Sequence, residues 1–151
     1  MSDQPEQLTR EAREALRLAQ EEAVRANHTY AGSGHVLLGV LGQGSGAGAG
    51  VLRRLGVTPD RLRAAAASVV GVGPEPVAFV GFTPRARRLL ASAADEARRL
   101  GHAEVGPDHL LLAIAGDDRG IAHQALALVG VGDLGDLRRR VLAALGQPPG
   151  S

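Results

Sequence analysis

The chain has 151 residues, of which 44% are hydrophobic and 22% are charged, and its formal net charge is +1. This length is enough for one domain with its own core, without a metal or disulfide to stabilise it. Cysteine is absent, which excludes disulfides, zinc–thiolate sites, iron–sulfur clusters and cysteine nucleophiles. All 17 basic residues are arginine, which excludes a lysine Schiff base and a P-loop, whose lysine contacts the nucleotide phosphates.

Residues 1–7 are polar and carry no secretory signal, and no apolar run approaches the roughly 18 residues of a membrane span. We therefore expect a cytoplasmic protein without membrane contact. The near-neutral charge and an aromatic content of 2% argue against a nucleic-acid binder, which usually has a basic excess and aromatic residues for stacking.

The chain contains a tandem duplication. When the sequence is shifted by 74 residues against itself, 18 of the 50 positions from 8 to 57 are identical. One inserted residue near Gly132 then places Leu62 opposite Leu137. Self-similarity at a fixed period predicts two copies of one structural unit.

Each repeat is predicted to contain four helices. The first is predicted over 9–26, because apolar residues recur at steps of three and four. Its counterpart begins at Thr83-Pro84, a capping hydroxyl followed by proline in the first turn. The other predicted helices cover 34–41, 47–55, 59–70, 108–115, 120–129 and 134–145. No segment alternates in hydrophobicity with period two, so strands are not expected.

These elements define an all-α protein of eight helices, arranged as two tandem four-helix repeats. The helices are short and many apolar positions are alanine, so a single repeat has a small core. We expect the two halves to pack with pseudo-twofold symmetry as one structural domain. The predicted segments are a flexible N-terminus (1–7), repeat one (8–70), a linker (71–81), repeat two (82–146) and a tail (147–151).

Two motifs that suggest a ligand are assigned structural roles. The glycine-rich run 42–50 lies between two helices with no preceding strand, so it indicates a turn and not a phosphate-binding loop. Histidines occur seven residues apart in both repeats, as His28/His35 and His102/His109. A zinc site needs three or four convergent ligands, and no acidic third ligand recurs, so we expect these histidines to bond backbone near helix ends.

The sequence contains no catalytic arrangement. None of the serines has a nucleophile-elbow context. The paired acids Glu21-Glu22 and Asp95-Glu96 lie beside arginines on helices, and intrahelical ion pairs explain them. We therefore predict no catalytic residue, no metal and no cofactor, and a protein that is not an enzyme.

The repeated pattern resembles the Clp N-terminal domain, in particular the double-repeat domain of ClpC-type AAA+ unfoldases, and the resemblance covers residues 8–146. In repeat one the matching residues are Thr9, Ala12, Glu22-Ala23, His28, Gly32, His35-Val-Leu-Leu38, Leu52, Leu55 and Gly56-Val57. In repeat two they are Phe82-Thr-Pro-Arg-Ala86, Asp95-Glu-Ala97, Leu100-Gly-His102, Val105-Gly106 and His109-Leu-Leu-Leu112.

This resemblance implies a module that receives substrates and adaptors for an ATP-driven unfoldase and its peptidase, including arginine-phosphorylated proteins. It implies an acid that binds the guanidinium and a threonine that helps to hold the phosphate. Repeat two has both, as Thr83 and Asp108, and we predict one phosphoarginine site there. Repeat one keeps Thr9 but has Gly34 in place of the acid, and is predicted to be the weaker counterpart.

The resemblance also implies a hydrophobic and basic patch at Phe82 and Arg87 for cyclic peptide ligands, although Ala91 stands where an acid is expected. The predicted function is that of a monomeric, non-enzymatic module for substrate or adaptor proteins of a Clp unfoldase–protease system, acting alone or as part of an unfoldase. Two alternatives stay open: an interaction domain that no longer recognises phosphoarginine, and an arginine-rich nucleic-acid-associated protein.

Overall fold

The computed structural model describes residues 7–78 and 80–146, which form eight helices and two short strands. Repeat one contains α1 (Arg10–Arg25), β1 (Tyr30–Ala31), α2 (Ser33–Gln43), α3 (Ala47–Arg54) and α4 (Pro59–Val70). Repeat two contains β2 (Gly81–Phe82), α5 (Pro84–Arg99), α6 (Pro107–Ala115), α7 (Ile121–Leu128) and α8 (Leu134–Ala144). The predicted all-α fold of two four-helix repeats is confirmed.

Side-chain caps determine where the long helices begin. Thr9 Oγ1 accepts a hydrogen bond from Ala12 N at 3.0 Å, and Thr83 Oγ1 accepts one from Ala86 N, also at 3.0 Å. Each bond satisfies one of the amide groups that a helix N-terminus leaves without a partner. The same local chemistry therefore starts α1 and α5, 74 residues apart.

The glycine-rich run 42–50 is mostly helical. It provides the end of α2 and the start of α3, with a turn of only three residues between them. Gly44 ends α2 in the left-handed conformation, with φ of 77°, which glycine adopts without steric cost. The interpretation of this run as an inter-helix turn is confirmed at its centre, but α2 is longer than the predicted 34–41.

The expectation of no strands is wrong in one detail. β1 and β2 pair in parallel, with Ala31 opposite Phe82, and an equivalent parallel bridge joins Val105 to Leu8. The two pairings are related by the same 74-residue shift, so each repeat pairs with the segment that precedes the first helix of the other. Strands of two residues are too short to show an alternating pattern, so periodicity gave no sign of them.

One core serves both repeats. A single cluster of buried apolar side chains draws on all eight helices. The central helices α2 and α6 contact each other and are buried along nearly their whole length, from Val36 to Leu41 and from Leu110 to Ala115. The halves therefore pack as one unit, as their alanine-rich helices predicted.

Candidate functional site

A groove of about 450 Å³ opens between the C-terminal part of α1, the start of α2 and the face of α4. The segment that follows α4 forms one wall, and two residues of repeat two, Thr83 and Ile121, complete the groove. The packing of the two repeats therefore contributes to the lining of the groove. We call it groove 1.

Groove 1 collects exposed apolar side chains. Tyr30, Val70 and Val72 are 56%, 45% and 67% exposed, and all three line it. Among the described residues only one other large apolar side chain is this exposed, Leu128, and it lies outside the groove. A contiguous exposed apolar patch usually marks an interaction surface, whereas single exposed apolar residues are ordinary.

A chain of hydrogen bonds runs through the wall of groove 1. His35 Nδ1 lies 3.0 Å from Gly32 N, His35 Nε2 lies 2.9 Å from His28 Nδ1, and His28 Nε2 lies 2.8 Å from Gly71 O. The backbone groups at the two ends define the direction, since Gly32 N–H can only donate and Gly71 O can only accept. His35 must therefore be protonated at Nε2 and His28 at Nε2, with both rings neutral. We call this chain the histidine relay.

The surroundings of His35 favour its neutral form. Burial lowers the pKa of His35 to about 4, because a charged imidazolium is poorly solvated there, and His28 acts in the same direction. Glu22 opposes this effect only weakly. In repeat two, burial and His102 likewise lower the pKa of His109.

The second histidine pair repeats the first two bonds. His109 Nδ1 accepts from Gly106 N at 2.8 Å, and His109 Nε2 lies 2.8 Å from His102 Nδ1. Both pairs therefore bond backbone at the start of a helix, as predicted. In repeat one the pair is also connected to the segment that follows the fourth helix of its repeat, through the bond from His28 to Gly71.

A glutamate–arginine pair lies beside each histidine pair. Arg63 donates to both carboxylate oxygens of Glu22 at 2.9 and 2.8 Å, and Arg138 binds Glu96 in the same way. Burial raises the pKa of Glu22, but the hydrogen bonds and charge of Arg63 more than offset this and hold it below its usual range. The interpretation of these acids as intrahelical pairs is incomplete, because their bidentate partners come from α4 and α8.

Each of the two predicted phosphate-binding threonines contacts the opposite repeat. Thr83 N donates to Ala31 O at 2.9 Å, and a Cβ atom at Gly32 would lie 3.7 Å from Thr83. Thr9 N donates to Val105 O at 3.0 Å, and a Cβ atom at Gly106 would lie 3.7 Å from Thr9. Each threonine therefore lies beside the helix start of the opposite repeat. The predicted pairing of Thr83 with Asp108 within repeat two is replaced by Thr83 beside 32–34 and Thr9 beside 106–108.

Asp108 caps a helix of the other repeat. Its carboxylate accepts from Gly48 N at 2.7 Å and from Ala47 N at 3.3 Å, at the N-terminus of α3. The equivalent position in repeat one, Gly34, faces Ile121 at the N-terminus of α7. There Ser33 supplies the cap, because its hydroxyl oxygen accepts from Ala122 N at 3.2 Å. The starts of α2 and α6 thus have nearly the same backbone conformation, but one presents a hydroxyl group and the other a carboxylate.

The predicted patch at Phe82 and Arg87 consists of neighbouring residues. Phe82 is partly buried against the core, and the exposed Arg87 donates from Nε to Phe82 O at 3.3 Å. Arg13 donates to Leu8 O at 2.9 Å in the same way, 74 residues earlier. This arginine–carbonyl bond is therefore a feature of both repeats.

Sequence reasoning missed the three exposed apolar residues of groove 1. Tyr30 is an isolated tyrosine, and Val70 and Val72 lie on either side of the end of α4, so no periodic pattern connects them. Among the described residues no group of three or more potential metal ligands comes together. Within the same residues, no helix has the length and apolar character needed to cross a membrane.

The two four-helix repeats share a core, and the start of each repeat contacts a helix start of the other. Together they define an all-α double-repeat domain. A family model described as the Clp repeat (R) N-terminal domain matches residues 7–78 and 81–151. The chain belongs to this family, which confirms the resemblance seen in the sequence.

The relatives agree with this assignment. The negative regulator of genetic competence ClpC/MecB of Bacillus subtilis is 38% identical over 138 residues, or 91% of this chain and 17% of that protein. The chain therefore spans about a sixth of the length of that relative.

Solved structures show the same fold. The N-terminal domain of ClpD from Arabidopsis thaliana has a TM-score of 0.77 at 21% identity, covering 94% of this chain and 96% of that one. A ClpV N-domain solved in complex with a VipB peptide has a TM-score of 0.70 at 22% identity, covering 96% and 91%.

Proposed function

We propose that this chain is a non-enzymatic, protein-binding module of a Clp-type unfoldase system, and that it receives segments of substrate or adaptor proteins in groove 1. The observation that carries this proposal is the concentration of Tyr30, Val70 and Val72 in one groove. Burying these side chains under a partner would remove apolar surface from water, which is the main driving force of protein association.

The charges of groove 1 favour an uncharged apolar occupant. The only described acid that lines it, Glu22, is bound by Arg63 and lies 3.1 Å from Arg25. Burial favours the neutral form of His35, and Gly34 leaves the groove without a second carboxylate. The ClpV N-domain bound to a VipB peptide supports the proposal by analogy, since that domain has the same fold.

Substitution of the exposed apolar residues tests this function. We expect Tyr30→Ser/Val72→Ser to bind reduced, carboxymethylated α-lactalbumin, a permanently unfolded probe, about tenfold more weakly, because roughly 1.4 kcal/mol of apolar burial is lost. Fluorescence anisotropy with the labelled probe measures the affinity. The matched control is Leu128→Ser, which removes an equally exposed apolar side chain elsewhere. Equal losses in both variants, or none in the double variant, would contradict the proposal.

A finer proposal concerns phosphoarginine. A guanidinium group prefers a carboxylate, and a phosphate prefers hydroxyl and amide donors at a helix start. Asp108 and Thr9, at the meeting point of α6, α3 and α1, supply these groups. Each carboxylate oxygen of Asp108 already accepts one amide hydrogen bond and keeps capacity for a second donor. The counterpart at Thr83 has Gly34 and no carboxylate.

Isothermal titration calorimetry with free phosphoarginine tests this site. We expect one site per chain and an affinity about ten- to a hundredfold lower in Asp108→Asn, because a charged hydrogen-bond partner contributes roughly 1.5–3 kcal/mol. Asparagine retains an oxygen that can cap α3. The control is Ser33→Ala, which removes the cap of α7 and leaves Asp108 intact. A stoichiometry near two, or unchanged affinity in Asp108→Asn, would refute the assignment.

A further inference from the structure

The segment that follows α4 is tied to the end of α1 by three hydrogen bonds. His28 Nε2 donates to Gly71 O at 2.8 Å, Gly73 N donates to Ala26 O at 2.8 Å, and Asn27 Nδ2 donates to Gly73 O at 3.3 Å. We call residues 71–73 the strap. Gly71 and Val72 of the strap line groove 1, so the position of the strap shapes that groove.

The strap packs so closely against the turn after α1 that a side chain at Gly73 cannot be accommodated. A Cβ atom at Gly73 would lie 1.9 Å from Asn27 O, closer than any real contact, so only glycine fits against this backbone. Asn27 itself adopts a positive φ of 58°, which is uncommon for a residue other than glycine. This turn places Asn27 and His28 against the strap.

The histidine relay can be complete in only one protonation state. A proton added to His35 at Nδ1 would face the Gly32 N–H, and one added to His28 at Nδ1 would face the His35 Nε2–H. Either event replaces a hydrogen bond with two opposed donors, which is costly in a partly buried site. A positive charge on the relay is therefore incompatible with the closed arrangement.

The charged groups around the relay do not compensate for an added proton. From α1, Glu22 and Arg25 face it, and from α4, Arg63 does. The side chain of Glu22 could stabilise an imidazolium, but it is already held by the two arginines. The other elements that line groove 1 contribute Tyr30, Thr83 and Ile121, which are uncharged at neutral pH, and the strap itself carries no charge.

We propose that the histidine relay is a proton-sensitive latch: it holds the strap against α1 when both rings are neutral, and when either ring is protonated it releases the strap and so removes one wall of groove 1. The effect on ligand capture rests on the function proposed above for groove 1, whereas the movement of the strap does not. The related pair in repeat two provides an internal comparison. His102 is exposed, and among the described residues the only hydrogen bond of its side chain is to His109.

Hydrogen exchange in the ligand-free protein tests the latch. The readout is the protection factor of the Gly73 amide, corrected for the intrinsic exchange rate, at pH 7 and pH 5. A histidine with a pKa of about 4 when latched and 6.5 when released predicts a loss of protection of about twentyfold between these pH values. The Val131 amide, bonded to Leu126 O at 2.8 Å in repeat two, is the internal reference and should not change.

Two variants separate the latch from general acid effects. In His28→Gln/His35→Gln, whose two amide side chains can carry the same hydrogen bonds from Gly32 to Gly71 without titrating, we expect Gly73 to keep its protection within about twofold between the two pH values. His102→Gln/His109→Gln changes the equivalent pair away from the strap and should behave like the parent chain. Equal loss of Gly73 protection in the parent and His28→Gln/His35→Gln, or constant protection in the parent, would overturn the latch.

Ligand capture is tested with Nile red, an uncharged apolar dye. We expect its affinity for the parent chain to fall on acidification from pH 7 to 5, because release of the strap removes one wall of groove 1. The affinity should stay constant in His28→Gln/His35→Gln, and should be low at both pH values in Gly73→Ala, which cannot hold the strap in place. Dye binding that is unaffected by Tyr30→Ser/Val72→Ser would count against groove 1 as the binding site, while the exchange result would still decide the latch.

Discussion

Single residues distinguish two helix starts, at α2 and α6, that have nearly the same backbone conformation. Position 34 is glycine and its counterpart is Asp108, so one helix start carries a carboxylate and the other does not. Ser33 takes over the capping of α7, which lets repeat one lose the acid without leaving the Ala122 amide unpaired. The duplication thus preserves the fold while the chemistry at each helix start diverges.

His35 makes the stability of the folded chain depend on pH. Since the pKa of His35 is lowered to about 4 in the folded state, the unfolded chain binds a proton between pH 6.5 and 4 that the folded chain does not. The stabilisation that comes from neutral His35 is therefore fully present above pH 6.5 and is lost as the pH falls towards 4. We expect the parent chain to lose on the order of 1–2 kcal/mol more than His35→Gln between pH 7 and pH 4.5. Urea unfolding at each pH measures this difference; parallel stability profiles would contradict it.

At the level of elements, α1 and α2 cross at unusually close range. A Cβ atom at Gly39 would lie 2.0 Å from Ala15 O, so the crossing requires glycine at this position. In repeat two the equivalent residues are Ala113 and Leu89, which carry larger side chains at both positions. The corresponding helices of the two repeats therefore cannot pack identically, although they have the same order and starts.

Substitution of this glycine separates helix propensity from packing. Propensity alone predicts that Gly39→Ala stabilises α2 by about 1 kcal/mol. The steric conflict with Ala15 outweighs this, and we expect a net destabilisation of about 2–3 kcal/mol in urea unfolding. Ala113→Gly is the matched control and should destabilise by only about 1 kcal/mol. A Gly39→Ala variant as stable as the parent would disprove the close crossing.

At the level of the whole molecule, the repeats depend on each other. Most of their buried apolar side chains form one cluster, β1 pairs with β2, and Asp108 and Ser33 cap helices of the opposite repeat. Separating the halves would expose α2 and α6, whose nearly continuous burial depends on both. Neither half keeps a closed core by itself.

We therefore expect residues 1–78 alone to show little helix by circular dichroism. Mixing them with residues 79–151 should restore helical structure, with a concentration-dependent thermal transition, because association rebuilds the shared core. Cooperative unfolding of the isolated first half would contradict this dependence.

The helices were predictable because their signals are local. Thr9, Thr83 and Pro59 mark helix starts through their own chemistry, and apolar spacing identifies the buried faces. The candidate site was only partly predictable. The sequence placed Thr9, Thr83 and Asp108 at helix starts, but their pairing was assigned within a repeat when the contacts run between repeats. Tyr30, Val70 and Val72 were missed because their grouping arises only from packing.

The amino-acid sequence alone specified the duplication, the eight helices, the family and the absence of cysteine and lysine chemistry, because composition and short-range patterns carry that information. Three features depended on tertiary structure: the contacts between the helix starts of opposite repeats, the groove that both repeats line, and the direction of the histidine relay. Each of these features joins residues that are far apart in the chain, such as Asp108 and Gly48, and no local pattern encodes such a contact. The fold brings them together because burying α2 and α6 requires both repeats at once.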